Sequence, residues 1–449
     1  MEPYRLHVYA CDQKKAEGAP SCSANGSEGT IQALRRELAR QGLAGDVQVT
    51  TCGSLGLCTR GPNMVVYPDG VWYSGVHAED VEEIVRDHFA GGRVVERLTS
   101  GEKSSVRTEI DGNRKKMLAA FKAREDAGML PEDLHQSING FRESRAILTA
   151  IELDLFTSLG DGADASGVAG RLGTDPRATE ALLNALVAIG LLEKRQGTFT
   201  NGPVAERYLL EGSEHDSRAA IMHTAHLWPR WSTLTECVRE GTAVARTHPD
   251  EWTEAFIAAM HKNAAFRAPL VAQAVGLDAA RRVLDLGGGS GAYSIAFARA
   301  NEQVKAEVFD LASVVPITQR HIDDAGLTGR VTTRVGDLRD EDYGTGYDLV
   351  FLSAICHMNS PAENRAMLAK VFNALEPSGR VVIQDFILAP DKTRPKTGAL
   401  FALNMLVGTR GGSSYSESEY AGWLEEAGFT NVRRVPLPGA TDLVIAERL

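Results

Sequence analysis

Val283-Leu284-Asp285-Leu286-Gly287-Gly288-Gly289-Ser290-Gly291 is the stretch that decides how this chain folds. A short apolar run ends in four glycines among five residues, and Ala292 to Ala300 continues at once in a helical pattern. The order is strand, tight turn, helix start. Glycine removes the Cβ and permits positive φ, so the backbone can approach a ligand closely, while a new helix offers free N–H groups to an anionic group. Lys305 to Phe309 reads as the next strand, closed by Asp310 at the interval where an acid meets a cofactor's ribose hydroxyls in dinucleotide folds. Gly287, Gly289 and Gly291 alternate instead of forming G-x-G-x-x-G, and no G-K-[ST] follows. Nicotinamide and a phosphate-binding loop are therefore disfavoured.

Strands and helices alternate from there on, the pattern of a doubly wound sheet with ligands at its strand ends. Val331 to Val335 leads to Gly336-Asp337-Leu338, and Tyr347 to Leu352 is a nearly continuous apolar run, as a buried parallel strand should be. Beyond it come Ser353 and His357, a helix over Pro361 to Leu375, a strand over Arg380 to Gln384, then Asp385. Asp442 to Glu447 is expected as the last, antiparallel strand.

The glycine stretch, Phe309-Asp310-Leu311-Ala312, Gly336-Asp337-Leu338, Ile355-Cys356-His357, Gly379-Arg380-Val381-Val382 and Asp385 together resemble the small-molecule O-methyltransferases related to the plant caffeic acid and hydroxyindole enzymes, over residues 135–449. The resemblance implies a Rossmann-like domain over 266–449 that uses S-adenosylmethionine (SAM). Asp285, Gly287, Gly289, Gly291, Asp310, Leu311, Gly336, Asp337, Leu338 and Ser353 would surround the cofactor, Asp337 near its adenine amino group. It also implies His357 as general base, held by Asp385. Methyl transfer needs a hydroxyl in line with the methyl group that loses its proton as it attacks, and a base poised near neutral pH assists. A lone histidine at a strand end would otherwise be read as a core residue. The pattern departs from the plant enzymes at Ser414, where a second acid is usual, at Asn359 for a tryptophan and at Ser353 for a lysine.

Residues 131–265 read as a helical domain. Gly140 to Leu159 carries one apolar stripe, Asp164 to Leu172 is a shorter helix, and Thr174-Asp175-Pro176 caps a helix over Arg177 to Ile189 that Gly190 stops. Leu191 to Arg195 and Thr198 to Thr200 flank Gln196-Gly197 as a hairpin, which completes a winged-helix pattern. The would-be recognition helix carries Arg177, Glu180 and Asn184 and no basic run, so a DNA-reading role is disfavoured. The family resemblance implies instead a homodimer interface and part of an acceptor pocket. Trp231, Phe256 and Met260 are expected at that pocket, with Phe401, Asn404 and Met405 on a further helix. His223, His226 and His261 match no recognised metal-ligand spacing.

Residues 99–130 read as a linker: Thr99 to Asn113 is rich in Ser, Gly and charge, and Arg114 to Ala127 is expected as a short helix using Met117, Leu118 and Phe121. Ahead of it, residues 1–98 form a small α/β layer. Leu6 to Ala10 and Asp46 to Thr51 are strands, Glu28 to Gln41 is an amphipathic helix, Asn63 to Tyr73 a β-hairpin and Glu79 to Phe89 a closing helix. Four of the six cysteines, Cys11, Cys22, Cys52 and Cys58, sit here at strand ends or on loops. A redox C-x-x-C is absent, as are the paired short spacings of zinc sites, whereas an iron-sulfur cluster tolerates long intervals and needs four soft ligands. Leu55-Gly56-Leu57-Cys58 and Gly61 to Tyr73 resemble the thioredoxin-like 2Fe-2S ferredoxins, which implies a 2Fe-2S cluster and an electron-transfer partner. Ser54 stands where that family has its third ligand; Cys52 is the expected replacement, with ligation by Ser54 through oxygen or loss of the cluster as the alternatives.

Over the 449 residues the charge balance is 48 basic against 59 acidic groups, formally -11. That leaves no electrostatic footprint for a nucleic-acid backbone or an anionic membrane. No apolar run is long enough to span a bilayer and no signal peptide is read at Met1 to Arg5, so the expected compartment is the cytoplasm. The expected architecture is α/β and multidomain: ferredoxin-like, winged-helix dimerisation, then Rossmann-like methyltransferase. Its expected activity is SAM-dependent O-methylation of a small aromatic or polyketide-like molecule. C-methylation or hydroxylation with the cluster as electron donor, and a SAM- or redox-sensing regulator, are the alternatives.

Overall fold

A computed structural model describes residues 3–15, 19–244 and 252–449, with the side chains of 252–256, 258, 259 and 263 outside the description. It comprises two compact units, Met1–Phe141 and Arg142–Leu449.

In the first unit, β1 (Leu6–Cys11) runs parallel to β2 (Val47–Cys52), joined by α1 (Ser27–Arg40). The hairpin β3 (Asn63–Tyr67) and β4 (Val71–Ser74) adds antiparallel strands, in the order β2-β1-β3-β4. Ile31, Leu34 and Leu38 of α1 are buried in a core with Val8, Val66, Tyr73 and Phe89, as the 3.6-residue spacing of the apolar positions requires. The closing segment winds through α2 (Val81–Glu83) and ends in a π-helical turn, Ile84–Ala90.

The helix expected over Arg114 to Ala127 starts earlier, within the stretch expected as a linker, and its Met117, Leu118 and Phe121 are exposed. α3 spans Lys103–Asp126 and buries only Val106, so it has no apolar period to reveal it. It is anchored by contacts distant in sequence: Asn113 Nδ2 donates to Gly56 O at 2.8 Å, Arg60 pairs with Glu109 at 3.1 Å, and Ile110 lies where a Cβ on Gly56 would be. α4 follows at Glu132–Asn139.

The second unit opens with α5 (Phe141–Glu152) and α6 (Leu155–Leu159). One helix was expected here, but Asp154 adopts φ +51 and breaks it, which turns Leu155, Phe156 and Leu159 into the core. α7 (Ala165–Leu172) and α8 (Pro176–Ile189) follow, the latter capped by Asp175, whose carboxylate accepts from Ala178 N at 2.8 Å. β5 (Leu192–Arg195) and β6 (Thr198–Asn201) form the hairpin. α9 (Pro203–Tyr208), α10 (Arg218–Trp231), α11 (Leu234–Glu240) and α12 (Trp252–Val275) lead to the large sheet.

That part runs β7 (Arg282–Leu286), α13 (Ala292–Ala300), β8 (Lys305–Asp310), α14 (Val315–Asp324), β9 (Val331–Val335) and β10 (Tyr347–Ser353). It continues through α15 (Pro361–Ala374), β11 (Leu375–Asp385), β12 (Ile387–Leu388), α16 (Lys396–Gly408), β13 (Tyr415–Ser416), α17 (Glu417–Glu426), β14 (Thr430–Val435) and β15 (Asp442–Glu447). Seven strands take the order β14-β15-β11-β10-β7-β8-β9. β15 is antiparallel to both neighbours, and the other interior pairs are parallel. Val283 and Phe351 face one core and Leu284 and Leu352 the other, so the central strands are apolar on both faces. Chain order reverses between β7 and β10, which opens a crevice beyond their carboxyl ends. Among the described residues, no helix is long and apolar enough to cross a membrane.

Candidate active site

The loop after β7 borders the crevice. Gly287, Gly289 and Gly291 have φ of +66, +57 and +73, values that exclude other residues without strain. A Cβ on Gly287 would collide with Ile355, and one on Gly288 would lie 2.6 Å from the Asp285 carboxyl carbon. Among the described residues only Ile257 comes near Gly289, at 3.7 Å, so their packing leaves bare backbone at this point of the loop.

Two carboxylates shape this loop in different ways. Asp310 accepts Gly289 N–H on Oδ2 and Leu311 N–H on Oδ1, both at 2.8 Å, which fixes its carboxylate beside the loop; burial raises its pKa. Asp285 is fully buried beneath the glycines, with Ser294 donating to Oδ2 at 2.7 Å and, among the described residues, no partner on Oδ1. Burial pushes its pKa up to about 7, and the charge of Asp310 adds to the rise while the Ser294 bond opposes it.

The remaining residues expected at the cofactor lie around the same strand ends. Leu311 is exposed after β8, Asp337 accepts from Arg339 at 2.9 Å, and Gly336 packs against the Phe309 ring. Leu338 borders Gly287, while Ser353 Oγ donates to Gln384 at 3.3 Å. Bare backbone at Gly289, a carboxylate anchored beside it and an exposed Leu311 suit a nucleoside with a hydroxylated sugar, so the residues present fit SAM.

His357 stands on the short turn after β10, two residues beyond Ile355. Its Nδ1 meets Asp385 Oδ1 at 2.6 Å, and its own backbone N–H donates to Asp385 Oδ2 at 3.1 Å. Asp385 ends β11, so adjacent parallel strands deliver the two residues together. Two further donors reach this carboxylate: Phe386 N at 2.8 Å and Tyr420 OH at 3.0 Å. Four bonds compensate a carboxylate that is only 1% exposed. With Nδ1–H committed to Asp385, Nε2 keeps its lone pair and can accept a proton.

Aromatic rings line this histidine. Phe401 meets it edge-on at 4.8 Å and stacks on Phe386 at 3.9 Å. Asn404 accepts from Trp231 Nε1 at 3.0 Å, which ties α16 to α10; Met405 is buried and Met260 half-buried. The Phe256 side chain lies outside the described residues. Ser414 bonds Gly398 O at 2.9 Å and so does not hold His357. Phe386 and Tyr420 were missed in the sequence: Phe386 directly follows Asp385, but nothing local marks Tyr420, which arrives from α17.

A cavity of about 880 Å³ lies elsewhere, between α12, α13 and α14. Its lining includes no residue of β10, β11 or α16, so it is not the space facing His357. His261 borders it, bonded to Ser290 of the glycine loop at 2.8 Å and stacked on His321 at 3.9 Å.

In the first unit the strand register sets Cys11 opposite Cys52. Hydrogen bonding from Cys22 lowers the Cys11 thiol to about 6, whereas burial pushes Cys52 up to about 11. Ser54 Oγ lies 3.1 Å from Cys58 Sγ, and Asn63 Nδ2 donates to Cys22 Sγ at 3.3 Å. The donors thus stand in pairs, and among the described residues no three His, Cys, Asp or Glu side chains form a group able to hold a metal ion.

A glycine loop suited to a nucleoside, beside a histidine–carboxylate pair and an aromatic wall, fits the class of SAM-dependent methyltransferases. The O-methyltransferase domain family matches residues 237–430, and the O-methyltransferase dimerisation domain family matches 135–211. The chain is 35% identical to 3-hydroxy-5-methyl-1-naphthoate 3-O-methyltransferase of Streptomyces sahachiroi, over 70% of this chain and 94% of that one. It is 30% identical to the tetracenomycin polyketide synthesis 8-O-methyl transferase TcmO of Streptomyces glaucescens, over 71% and 97%. Among solved structures it is similar to PigF with SAH, with 28% identity, a TM-score of 0.65, and 71% and 100% of the two chains covered; PigF is matched in sequence as a methyl transfer enzyme of Serratia sp.. The chain belongs to the O-methyltransferase family.

Proposed function

We propose that the second unit methylates a hydroxyl on a small aromatic or polyketide-like acceptor, with His357 as the base and Asp385 as the group that orients it. The observation that carries this reading is the 2.6 Å contact between them beside the Phe401 ring. When bound, SAM supplies an electrophilic methyl group on a sulfonium centre. Gly287, Gly289 and Asp310 are the groups that would hold its nucleoside and amino-acid parts. An aromatic acceptor packs on Phe386 and Phe401, so its hydroxyl can lie within reach of His357 Nε2. Nε2 takes the hydroxyl proton, and Asp385 stabilises the imidazolium that results. The relatives that act on a naphthoate and in tetracenomycin synthesis support a fused-ring acceptor, and the matched dimerisation domain supports a homodimer. Mass analysis of products from a panel of phenols and naphthols with methyl-labelled SAM tests the reading. Label on oxygen supports it, and label on ring carbon would overturn it.

The first unit is a 2Fe-2S-binding module in the same reading. Its support is the β2-β1-β3-β4 sheet order and four cysteines on or beside its strand ends, with Cys11 acidic enough to be a thiolate near neutral pH. The soft donor chemistry fits a cluster; the paired arrangement does not form a closed cage, and no step of the methyl transfer depends on it. Iron and sulfide analysis of protein purified without oxygen decides the matter: two of each per chain, lost in Cys11→Ser, support a cluster, and iron-free protein rejects it.

A further inference from the structure

Cys11 and Cys22, both buried, stand together in the first unit with their thiols hydrogen-bonded to each other. Gln13 N and Leu55 N donate to Cys11 Sγ, and Asn63 donates to Cys22 Sγ through its backbone N–H and through Nδ2, the latter at 3.3 Å. N–H groups aimed at sulfur favour its anionic, metal-binding form. Gly61 leaves room for this pair, since a Cβ there would lie 2.7 Å from Cys22 Sγ.

A second pair of donors sits on the loop after β2. Ser54 Oγ lies 3.1 Å from Cys58 Sγ and accepts Gly56 N–H at 3.2 Å. The loop is tied to the first pair at two points: Leu55, next to Ser54, is a donor to Cys11, and Asn63 Nδ2 also donates to Leu57 O at 2.8 Å, next to Cys58. α3 holds the loop from its other side. Gly56 turns it with φ +87, its carbonyl accepts from Asn113 at 2.8 Å, and Ile110 occupies the space a Cβ would need. Cys52 is placed differently. It lies on the edge strand β2 in register with Cys11, so β1 stands between it and β3, where Asn63 gathers the other donors.

Two irons bridged by two sulfides need protein donors as two adjacent pairs, one pair for each iron. We propose that Ser54 Oγ, and not Cys52, completes the donor set, sharing one iron with Cys58 while Cys11 and Cys22 hold the other. Ligation replaces the Ser54 O–H bond by an Fe–O bond and passes the proton to water; the iron's charge and the Gly56 N–H both favour the alkoxide. This inference rests on the proposed 2Fe-2S reading of the first unit.

The test uses the full chain, purified without oxygen, with iron content, visible absorption and the rate of iron loss to a chelator as readouts. Ser54→Cys should keep both irons and move the ligand-to-iron absorption to longer wavelength, because a soft thiolate gives up electron density more readily than an alkoxide. Cys52→Ala should leave iron content, spectrum and rate as they are. Ser54→Ala should lose iron at least about tenfold faster, the lower end of what changes merely beside a metal's ligands cost in affinity. An unshifted spectrum in Ser54→Cys, or loss of iron in Cys52→Ala, would overturn the inference and leave the cluster reading standing. Iron-free unaltered protein would overturn both.

Discussion

Asp385 accepts from His357 Nδ1, His357 N, Phe386 N and Tyr420 OH, so its substitutions should fall in a definite order. His357→Ala removes the proposed proton acceptor and should lower kcat by about 10²–10⁴-fold with little change in SAM affinity. Asp385→Asn should cost a similar factor, because an amide can donate to Nδ1 and favour the wrong tautomer. Tyr420→Phe removes one donor of four and should cost about tenfold or less. Single-turnover rates at saturating SAM check the order; a Tyr420→Phe effect larger than that of Asp385→Asn would contradict it. Asp285 supplies a second residue-level prediction. Its carboxyl keeps its proton to about pH 7 in the folded chain, against 3.8 as the ordinary value. Folding therefore takes up a proton between those limits, and the stability linked to it is fully present below pH 3.8 and lost as pH rises to about 7. A shift of that size corresponds to roughly 4 kcal/mol. Asp285→Asn should remove this slope, so its melting temperature relative to the unaltered protein should rise between pH 5 and 8. Parallel melting curves across that range would refute the assignment.

In the proposed reading, cofactor binding turns on the glycine loop. Gly287→Ala would force alanine to φ +66 and drive its Cβ into Ile355. The backbone term alone is about 1–2 kcal/mol, and the clash adds to it. Gly197 in the β5–β6 turn has φ +84 and open space around it, so Gly197→Ala isolates the backbone term. SAM titration should show at least tenfold weaker binding for Gly287→Ala and unchanged binding for Gly197→Ala. Trimming Ile355 to alanine in the first variant should recover part of the stability, since only the clash is relieved.

At the scale of the whole molecule, the two units have separate cores: Val8, Leu34 and Tyr73 in one, and Leu284, Phe351 and Phe156 among those of the other. A ligand stabilises only what binds it, by about 2.7 kcal/mol at a concentration one hundred times its Kd. Calorimetry should thus resolve two transitions, with SAM raising the one that belongs to residues 142–449 and leaving the other in place. A uniform shift of both would show that the units unfold as one.

Much of the second unit was legible because its signals are local. Apolar runs such as Tyr347 to Leu352 must be buried on both faces, and clustered glycines before a helix leave few alternatives to a ligand loop. His357 and Asp385 could be paired on paper by family resemblance, yet their contact exists only because β10 and β11 lie side by side in register. Tyr420 carries no mark in the sequence, since α17 brings it in from far along the chain, and Phe401, expected at the acceptor pocket from resemblance alone, meets His357 edge-on only because α16 packs there. The same holds for the first half of α3, whose anchors Asn113, Glu109 and Ile110 reach residues more than forty positions away, with no apolar period to announce the helix before Arg114. Local periodicity and backbone chemistry thus determined the parallel sheet and its glycine loop. Only tertiary packing decided which donors compensate the buried Asp385 and which rings face His357, because those contacts join segments whose separation in sequence carries no information about their distance in space.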